Sequence, residues 1–412
     1  MIAVKEIESG REAFENARIG DNRFRLDSGG EGQWSRWSYR AAASSLIVRA
    51  GFAGAIDALK LIELPLKTEP VDGPPFKGGW IGYLSYDLGR CFEKLPAKAS
   101  DDLCWPPFLF TWHERVLAHD ALTGRNYLCW AKTPLTEEYE FKTLLGGNSE
   151  SPIARIDYQQ GVMKVLDYIA AGDVFQVNLS QRFELPMRRK SAEVYRDMRR
   201  NFPAGFGALL DYGNYALISN SPELFLKVDG QRNVTTRPIK GTRPRREGME
   251  KELRESVKDQ AELNMIVDLE RNDLGRVCEL GSVKVTCPRE IETLPTVYHG
   301  VATVEGKLCA DVGLVELLRA TFPGGSVTGA PKIRAMEIIE ELEPVRRGPY
   351  CGAIGYLSAD GQMQFNIAIR TIVVNEGRAY VSVGGGIVAD SNPADEYEET
   401  LVKAQAMFDV LK

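Results

Sequence analysis

An α+β fold is predicted by three features of the chain. Strand patterns come in runs. Helix patterns fall between and after those runs. No regular strand–helix alternation of the kind a parallel sheet requires is present. No repeat with a period of 20–50 residues is visible, which excludes a solenoid or propeller.

The 412 residues are 44% hydrophobic and 26% charged, which excludes disordered, collagen-like and coiled-coil classes. At about 150 residues per domain, two or three domains or one large one are expected. Pro and Gly cluster in LKTEPVDGPPFKGGW and LTGRN, so the first 150 residues read as loop-rich. The stretch LLGGNSESP (144–152) reads as a linker. The division expected is an N-terminal part over 1–150 and a catalytic part over 151–412, packed as one large unit.

The net charge is −6, with 51 Lys and Arg against 57 Asp and Glu, which argues against a nucleic-acid partner. The seven cysteines are dispersed with no CxxC pair. That fits reduced thiols in the cytoplasm. The N-terminus, MIAVKEIESGRE, carries charges where a signal peptide needs an apolar run. The stretch AAASSLIVRAGFAGAIDALKLIEL holds Arg49, Asp57 and Lys60. It reads as an amphipathic helix, so no membrane span is expected. Three histidines leave little for a His-based metal site.

Element by element, Val162, Val165, Leu166 and Ile169 recur at helical spacing and predict a helix over 157–171. Gly172 can end it in the left-handed conformation. VFQVNLSQRF then alternates, with Phe175, Val177 and Leu179 on one face and Gln176, Asn178 and Ser180 on the other. The polar face either meets solvent or lines a polar cleft. Strands are expected at YALISN, LFLKV, SVKVTC, VATVEG, CGAIGYLS, FNIAIRTIVV and AYVSVGGGIV. Helices are expected at 247–272, 311–320, 331–341 and 393–411.

Four stretches could carry chemistry. In FPGGSVTGAPKIRAMEIIEEL a glycine-rich turn meets a helix at Pro331. It is either an anion site or a plain turn. In VGGGIVADSNPADEYEETLVKA, Gly384, Gly385 and Gly386 permit close backbone approach. Glu396, Glu399 and Lys403 share a helix face beyond them. In RESVKDQAELNMIVDLERNDLGR, Asp259 and Glu262 share another face, with Glu255 a turn earlier. Two such acidic faces either hold a hard cation or are simply solvated. In SNSPELFLKVDGQRNVTTRPIKGTRPRR, Glu223 opens a strand, and Lys240 sits between Ile239 and Gly241. Lys240 is either a solvated turn residue or a desolvated amine with a lowered pKa, fit to be a nucleophile or base.

These stretches occur together and in order with others. The blocks are DVFQVNLSQRF, SNSPELF, RPIKGTRPR, AELNMIVDLERNDLGRV, YHGVATVEG, FPGGSVTGAPKIRAMEII, PYCGAIGY, NIAIRT and GGGIVADSNPADEYEETLVKA. The set resembles the chorismate-utilising enzymes, among them anthranilate, aminodeoxychorismate, isochorismate and salicylate synthases. It covers about 157–404. FRLDSGGEGQWSRWSY is loosely similar to the amino-adding members. The resemblance implies two antiparallel sheets packed as a sandwich, with helices outside and the active site in the cleft.

It also implies roles. The water-adding members resemble one another in a lysine at the position of Gln176, so Gln176 points to ammonia as nucleophile. PIKGT, with Lys240, is similar to the branch that aminates chorismate at C4 on the route to para-aminobenzoate and folate. Anthranilate synthases resemble PIAGT and aminate at C2; that reaction is the nearer alternative. A non-catalytic subunit that binds a glutaminase is the alternative of another class. The resemblance makes Lys240 a covalent nucleophile or an electrostatic group. Glu223 becomes the general acid, with His299 near the ring. Glu262 and Glu399 would hold Mg2+, with Asp259 and Glu396 as supporting carboxylates. Arg370, Tyr350, Gly384, Gly385 and Gly386 would receive the pyruvyl carboxylate. Thr242 and Ser326 would touch substrate, and Lys403 would lie beside the metal-side carboxylate. No glutaminase nucleophile block (G-x-C-x-G with a downstream His-x-Glu) occurs. A separate glutaminase subunit is therefore expected to deliver ammonia, and no fused lyase is expected. A tryptophan could sit near Ser28, as regulator or structural ligand.

Overall fold

The computed structural model describes residues 2–17, 19, 23–29, 33–42, 46–63, 71–133, 157–294 and 296–412. The linker expected at 144–152 lies outside them. In chain order the elements are β1 (Ile2–Ile7), α1 (Arg11–Asn16), β2 (Phe24–Asp27), β3 (Trp37–Ala41), β4 (Ile47–Ala50), α2 (Ala55–Glu63), β5 (Gly79–Leu84), β6 (Phe108–His113), β7 (Arg115–Asp120) and β8 (Asn126–Ala131). There follow α3 (Tyr158–Ala170), β9 (Gln176–Pro186), α4 (Ser191–Asn201), β10 (Phe206–Asp211), β11 (Tyr215–Ser221), β12 (Leu224–Val228), β13 (Asn233–Arg237), β14 (Ile239–Pro244), α5 (Met249–Glu255) and α6 (Val257–Gly275). The last are β15 (Lys284–Thr293), β16 (Val297–Lys307), α7 (Leu314–Thr321), β17 (Gly329–Ala330), α8 (Lys332–Leu342), β18 (Ala353–Ser358), β19 (Met363–Ile367), β20 (Thr371–Asn375), β21 (Arg378–Ile387) and α9 (Pro393–Leu411).

Among the described residues the strands form two sheets, paired antiparallel throughout. The eleven-stranded sheet runs β1-β8-β7-β3-β2-β10-β11-β20-β21-β9-β17. The ten-stranded sheet runs β14-β16-β13-β12-β19-β18-β5-β6-β4, with β15 on β16. The sheets meet face to face over a core that joins Phe24, Tyr39 and Leu217 of one to Tyr83, Ile354 and Tyr356 of the other. Tyr39, Phe76 and Tyr356 contact one another at ring-centroid distances of 4.8–5.5 Å, worth about 0.5–1.5 kcal/mol per pair beyond burial. Helices cover the outer faces: α4 and α9 on the larger sheet, α2, α6 and α7 on the smaller. The α+β sandwich expected from the sequence is the fold observed.

Three local readings change. The N-terminal part holds strands that its sequence did not announce: among the described residues, 2–131 carry eight. Several are buried on both faces, such as GWIGYL and FLFTWH, so no alternation marks them. The stretch expected as one amphipathic helix splits into β4 and α2. The region 247–272 splits into α5 and α6, because Ser256 caps the second helix by accepting from the Asp259 N–H at 3.2 Å.

The helix over 158–170 ends at Gly172 with φ 82°, as its sequence predicts. The helix at 393–411 is equally legible. Asn392 caps it, accepting from the Ala394 N–H at 2.9 Å, and Pro393 fills the first turn. Among the described residues no helix is long and apolar enough to cross a membrane.

Candidate active site

The site is built where the chain passes between sheets. β11 ends in the larger sheet and β12 begins in the smaller, and Glu223 lies in the crossing. FNIAIRTIVV is not one strand. It breaks after Ile367 into β19 of the smaller sheet and β20 of the larger, with Arg370 at φ 49° in the break. The two crossings are bonded together. The Ile367 N–H donates to the Glu223 carbonyl at 3.1 Å, and the Asn220 N–H to the Arg370 carbonyl at 3.0 Å.

Lys240 is turned into the same space by a β-bulge. Ile239 pairs with Val301 and Thr242 with His299, so Lys240 and Gly241 together oppose Gly300. Gly241 takes φ 80°, and a Cβ on Gly300 would stand 2.6 Å from the Lys240 carbonyl. Both glycines are therefore required by the bulge.

Opposite lies β21, paired with β9. Gly384, Gly385 and Gly386 face Ser180, Leu179 and Asn178. A Cβ on Gly386 would stand 2.9 Å from Gln176 Nε2 and 3.1 Å from Lys240 Nζ. One on Gly385 would stand 3.0 Å from Glu396 Oε2 and 3.8 Å from Lys403 Nζ. The glycine run is thus met by Lys240 and Gln176 on the face of Gly386, and by Glu396 and Lys403 on the face of Gly385. The polar face of β9 looks inward. Gln176 is 0% exposed and both its amide atoms lack a partner. Of the two readings open in the sequence, the polar cleft is the one observed.

A buried pair that the sequence reading missed steadies β9. The Arg347 guanidinium binds Glu343 through two N–H groups, at 2.6 and 2.9 Å, and donates to the Asn178 carbonyl. Glu343 accepts from the Ser180 N–H and hydroxyl, both at 2.8 Å. The spacing of Glu343 and Arg347, i and i+4, was the available signal.

Electrostatics follow from burial. Burial raises the Glu223 carboxyl to about 7, against the pull of the Ser326 hydroxyl and the Lys240 ammonium. Ser326 Oγ is buried without a hydrogen-bond partner of good geometry. The Lys240 amine is pushed down by burial, against the attraction of Glu262, Glu223 and Glu399. His299 receives a 2.8 Å hydrogen bond at Nδ1 from, or donates it to, Thr242 Oγ1. Its Nε2 is buried and unpartnered. Burial, then the Arg370 charge, lowers His299 to about 3, so the ring is neutral. Arg370 is half-buried, with no ion pair among the described residues, and burial lowers its pKa. An unpaired guanidinium beside a neutral imidazole is suited to a carboxylate. Tyr350 is buried nearby in the chain at the turn before β18.

The four carboxylates expected around a cation come from two helices. Glu262 and Asp259 lie on α6, Glu396 and Glu399 on α9. They are not equivalent. Asp259 accepts from Arg243 at 3.0 Å and Glu399 from Lys403 at 2.6 Å. The Lys403 ammonium also donates to the Gly384 carbonyl at 2.9 Å. Glu396 accepts from the Ser391 hydroxyl at 2.6 Å. Glu262 is raised by burial, with Asp259 and Glu396 adding repulsion, and Glu396 is raised by burial and by Glu399. The carboxylates feel one another across the cleft, and their oxygens are the hard donors Mg2+ takes. Among the described residues no three acidic, His or Cys groups stand close enough to hold a metal as they are. Lys258, which acts on Glu262, Glu396 and Glu399, was not singled out from the sequence.

Ser28 follows β2. Its N–H donates to Ser38 Oγ at 3.0 Å, and its own Oγ is buried without a partner. A cavity of about 30 Å3 between the sheets is lined by Asp27, Trp37 and Tyr39 among others.

A family model described as chorismate binding enzyme matches residues 21–409. The chain is 44% identical over 368 residues to anthranilate synthase component 1 of Thermus thermophilus, covering 84% of this chain and 79% of that one. It is 40% identical over 373 residues to aminodeoxychorismate synthase component 1 of Salmonella typhimurium, covering 86% and 81%. Among solved structures, anthranilate synthase component I of Streptococcus pneumoniae superposes with a TM-score of 0.78 at 30% identity, over 98% and 99% of the two chains. The menaquinone-specific isochorismate synthase of Escherichia coli, at 18% identity and a TM-score of 0.74 over 100% and 95%, shares the fold. With the fold, the cleft and these matches in agreement, the chain belongs to the chorismate binding enzyme family and is a chorismate-utilising enzyme.

Proposed function

We propose that this enzyme aminates chorismate at C4, giving 4-amino-4-deoxychorismate. The observation that carries the reading is the placement of Lys240. Its amine stands between Glu223 and the Gly386–Gln176 wall, with a pKa lowered by burial. A neutral amine there can attack C2 in an allylic displacement. Glu223, protonated near neutral pH, gives its proton to the departing C4 hydroxyl, which leaves as water. Ammonia then attacks C4, and the second displacement returns the electron pair to the Lys240 nitrogen. Gln176 has free amide atoms to orient ammonia and no charge to activate water.

The pyruvyl carboxylate is assigned to Arg370, with Tyr350 and the 384–386 backbone around it and Thr242, Ser326 and His299 as neutral polar contacts. Glu262 and Glu399 would hold Mg2+, with Asp259 and Glu396 behind them, and the ion would supply positive charge for the ring carboxylate. Lys403, paired with Glu399, would be released or redirected by that binding. The source of ammonia is a separate glutaminase subunit, in line with the aminodeoxychorismate synthase relatives. A cytoplasmic setting accords with the seven free cysteines.

The second reading, C2 amination to anthranilate, is favoured by the 44% identity to a relative of that name. Product identification separates the two. The purified chain is incubated with chorismate, Mg2+ and an ammonium salt, and the products are weighed by mass spectrometry. A product that keeps the enolpyruvyl group, and yields para-aminobenzoate once the lyase is added, supports C4 amination. Fluorescent anthranilate with free pyruvate overturns it.

A further inference from the structure

Asn178 carries a polar atom that the fold leaves open. On β9 it lies between Val177 and Leu179, which pack into the cluster under α3 and α8. Its side chain therefore shares the opposite, inner face with Gln176. Its backbone is fixed on both sides. The Asn178 N–H donates to the Thr328 carbonyl at 2.8 Å, and the Asn178 carbonyl accepts from the Arg347 guanidinium. The carboxamide is oriented as well. Its Nδ2 donates to the Ser326 carbonyl at 3.4 Å. A carbonyl can only accept, so the atom left over is the oxygen. Asn178 is 9% exposed, and Oδ1 is buried with no hydrogen-bond partner among the described residues. A buried acceptor left open is costly and calls for an explanation.

Gly386 sets that acceptor beside two groups of the site. It pairs directly with Asn178 across the ladder, which puts the Asn178 Cβ about 4.5–5.5 Å from where a Gly386 Cβ would be. Gln176 Nε2 lies 2.9 Å from the same point and Lys240 Nζ 3.1 Å. Both amide atoms of Gln176 are also without a partner. Two carboxamides and the lysine amine thus surround one glycine. The carboxamides carry no charge. They suit a small neutral molecule that donates hydrogen bonds. They do not suit a cation, which would meet no negative charge from them and the lysine amine beside it. Ammonia fits: it has N–H groups to donate and a lone pair to keep free.

We propose that Asn178 is a binding residue for the ammonia nucleophile: its Oδ1 and Gln176 Oε1 each accept an N–H, which leaves the ammonia lone pair free to face the ring of chorismate. The inference rests on the reading of this chain as an ammonia-using enzyme, and it holds for attack at C4 or at C2. It also makes the site selective for NH3 over NH4+.

The test is the steady-state rate of amination against ammonium and against chorismate, at several pH values, with a thermal melt of each protein. Wild type is expected to show a KM that is constant with pH when expressed as NH3. Asn178→Leu removes the acceptor at similar size. Its KM for NH3 is expected to rise about tenfold, the worth of one neutral hydrogen bond, with KM for chorismate within twofold. Its Tm is expected not to fall, since an open buried acceptor has been removed. A purely structural asparagine would lower Tm and leave KM for NH3 where it was. Asn178→Asp puts a carboxylate at the same place and serves if Asn178→Leu does not fold. It is expected to admit NH4+, so that its KM for total ammonium changes less with pH than that of wild type. An unchanged KM for ammonia in both variants overturns the assignment, and so does an equal rise in KM for chorismate. If wild type yields no aminated product from chorismate and an ammonium salt, the amination reading itself fails; if wild type aminates and the variants match it, only the role of Asn178 fails.

Discussion

Lys240 and Gly386 stand against each other across the cleft. The lysine nitrogen lies 3.1 Å from the place where a Cβ on Gly386 would be, and Gln176 Nε2 lies 2.9 Å from it. Gly386→Ala therefore displaces the tips of two side chains and no backbone. The fold is expected to survive, with Tm within a few degrees of wild type, while kcat falls at least tenfold. Gly384→Ala is the contrast, because its Cβ would stand 2.3 Å from the Leu179 carbonyl and must part β21 from β9. That variant loses stability as well as activity. Paired thermal melts and initial rates check both.

Glu223 makes a prediction about pH with two readouts. As an acid it acts in its protonated form, so kcat declines as pH rises through about 7. Its folded pKa is raised above the unfolded value of about 4.3. The folded state then holds more protons between those values, and stability falls as pH rises through the window. Glu223→Gln removes this slope. It is expected to lose nearly all turnover while gaining on the order of 3 kcal/mol relative to wild type between pH 4 and pH 8, because burial is the cause of the shift. Denaturant melts at the two pH values measure the difference.

Sequence patterning marked the candidate residues more clearly than the framework that holds them. Glu223, Lys240, Gln176 and the two acidic faces sit in local patterns that single them out, and the α9 cap is explicit in Ser391-Asn392-Pro393. Three things were hidden because they depend on partners distant in the chain. Arg370 sits in a run that reads as one strand, and only the pairing of β19 and β20 with different sheets breaks it. N-terminal strands such as β5 and β6 are buried on both faces, which erases the two-residue alternation. Glu270 looks like one more solvated helix acid until α6 is docked on the smaller sheet, where the Thr236 hydroxyl donates to it at 2.8 Å.

The acidic faces predict dependence on a divalent cation. Glu262 and Glu396 are raised by burial and by neighbouring carboxylates, and a cation between α6 and α9 relieves both. Chelation is expected to abolish turnover of chorismate, and added Mg2+ to restore it. Glu262→Gln raises the Mg2+ concentration for half-maximal rate by about tenfold or more, since one or two carboxylates carry such a site. Lys403, paired at 2.6 Å with Glu399, would compete with such an ion. Lys403→Met lowers the concentration required if its charge is only a competitor. Rates against Mg2+ concentration measure both.

The most direct test of Lys240 as the group that sets the position of amination is the product partition of Lys240→Ala. Wild type and variant are incubated with chorismate, Mg2+ and an ammonium salt, and the products are separated and weighed. Residual amination is expected to shift toward C2, giving aminodeoxyisochorismate or anthranilate, with the total rate reduced at least a hundredfold. A variant that keeps the wild-type rate and the wild-type product ratio would contradict the assignment of Lys240 as the nucleophile.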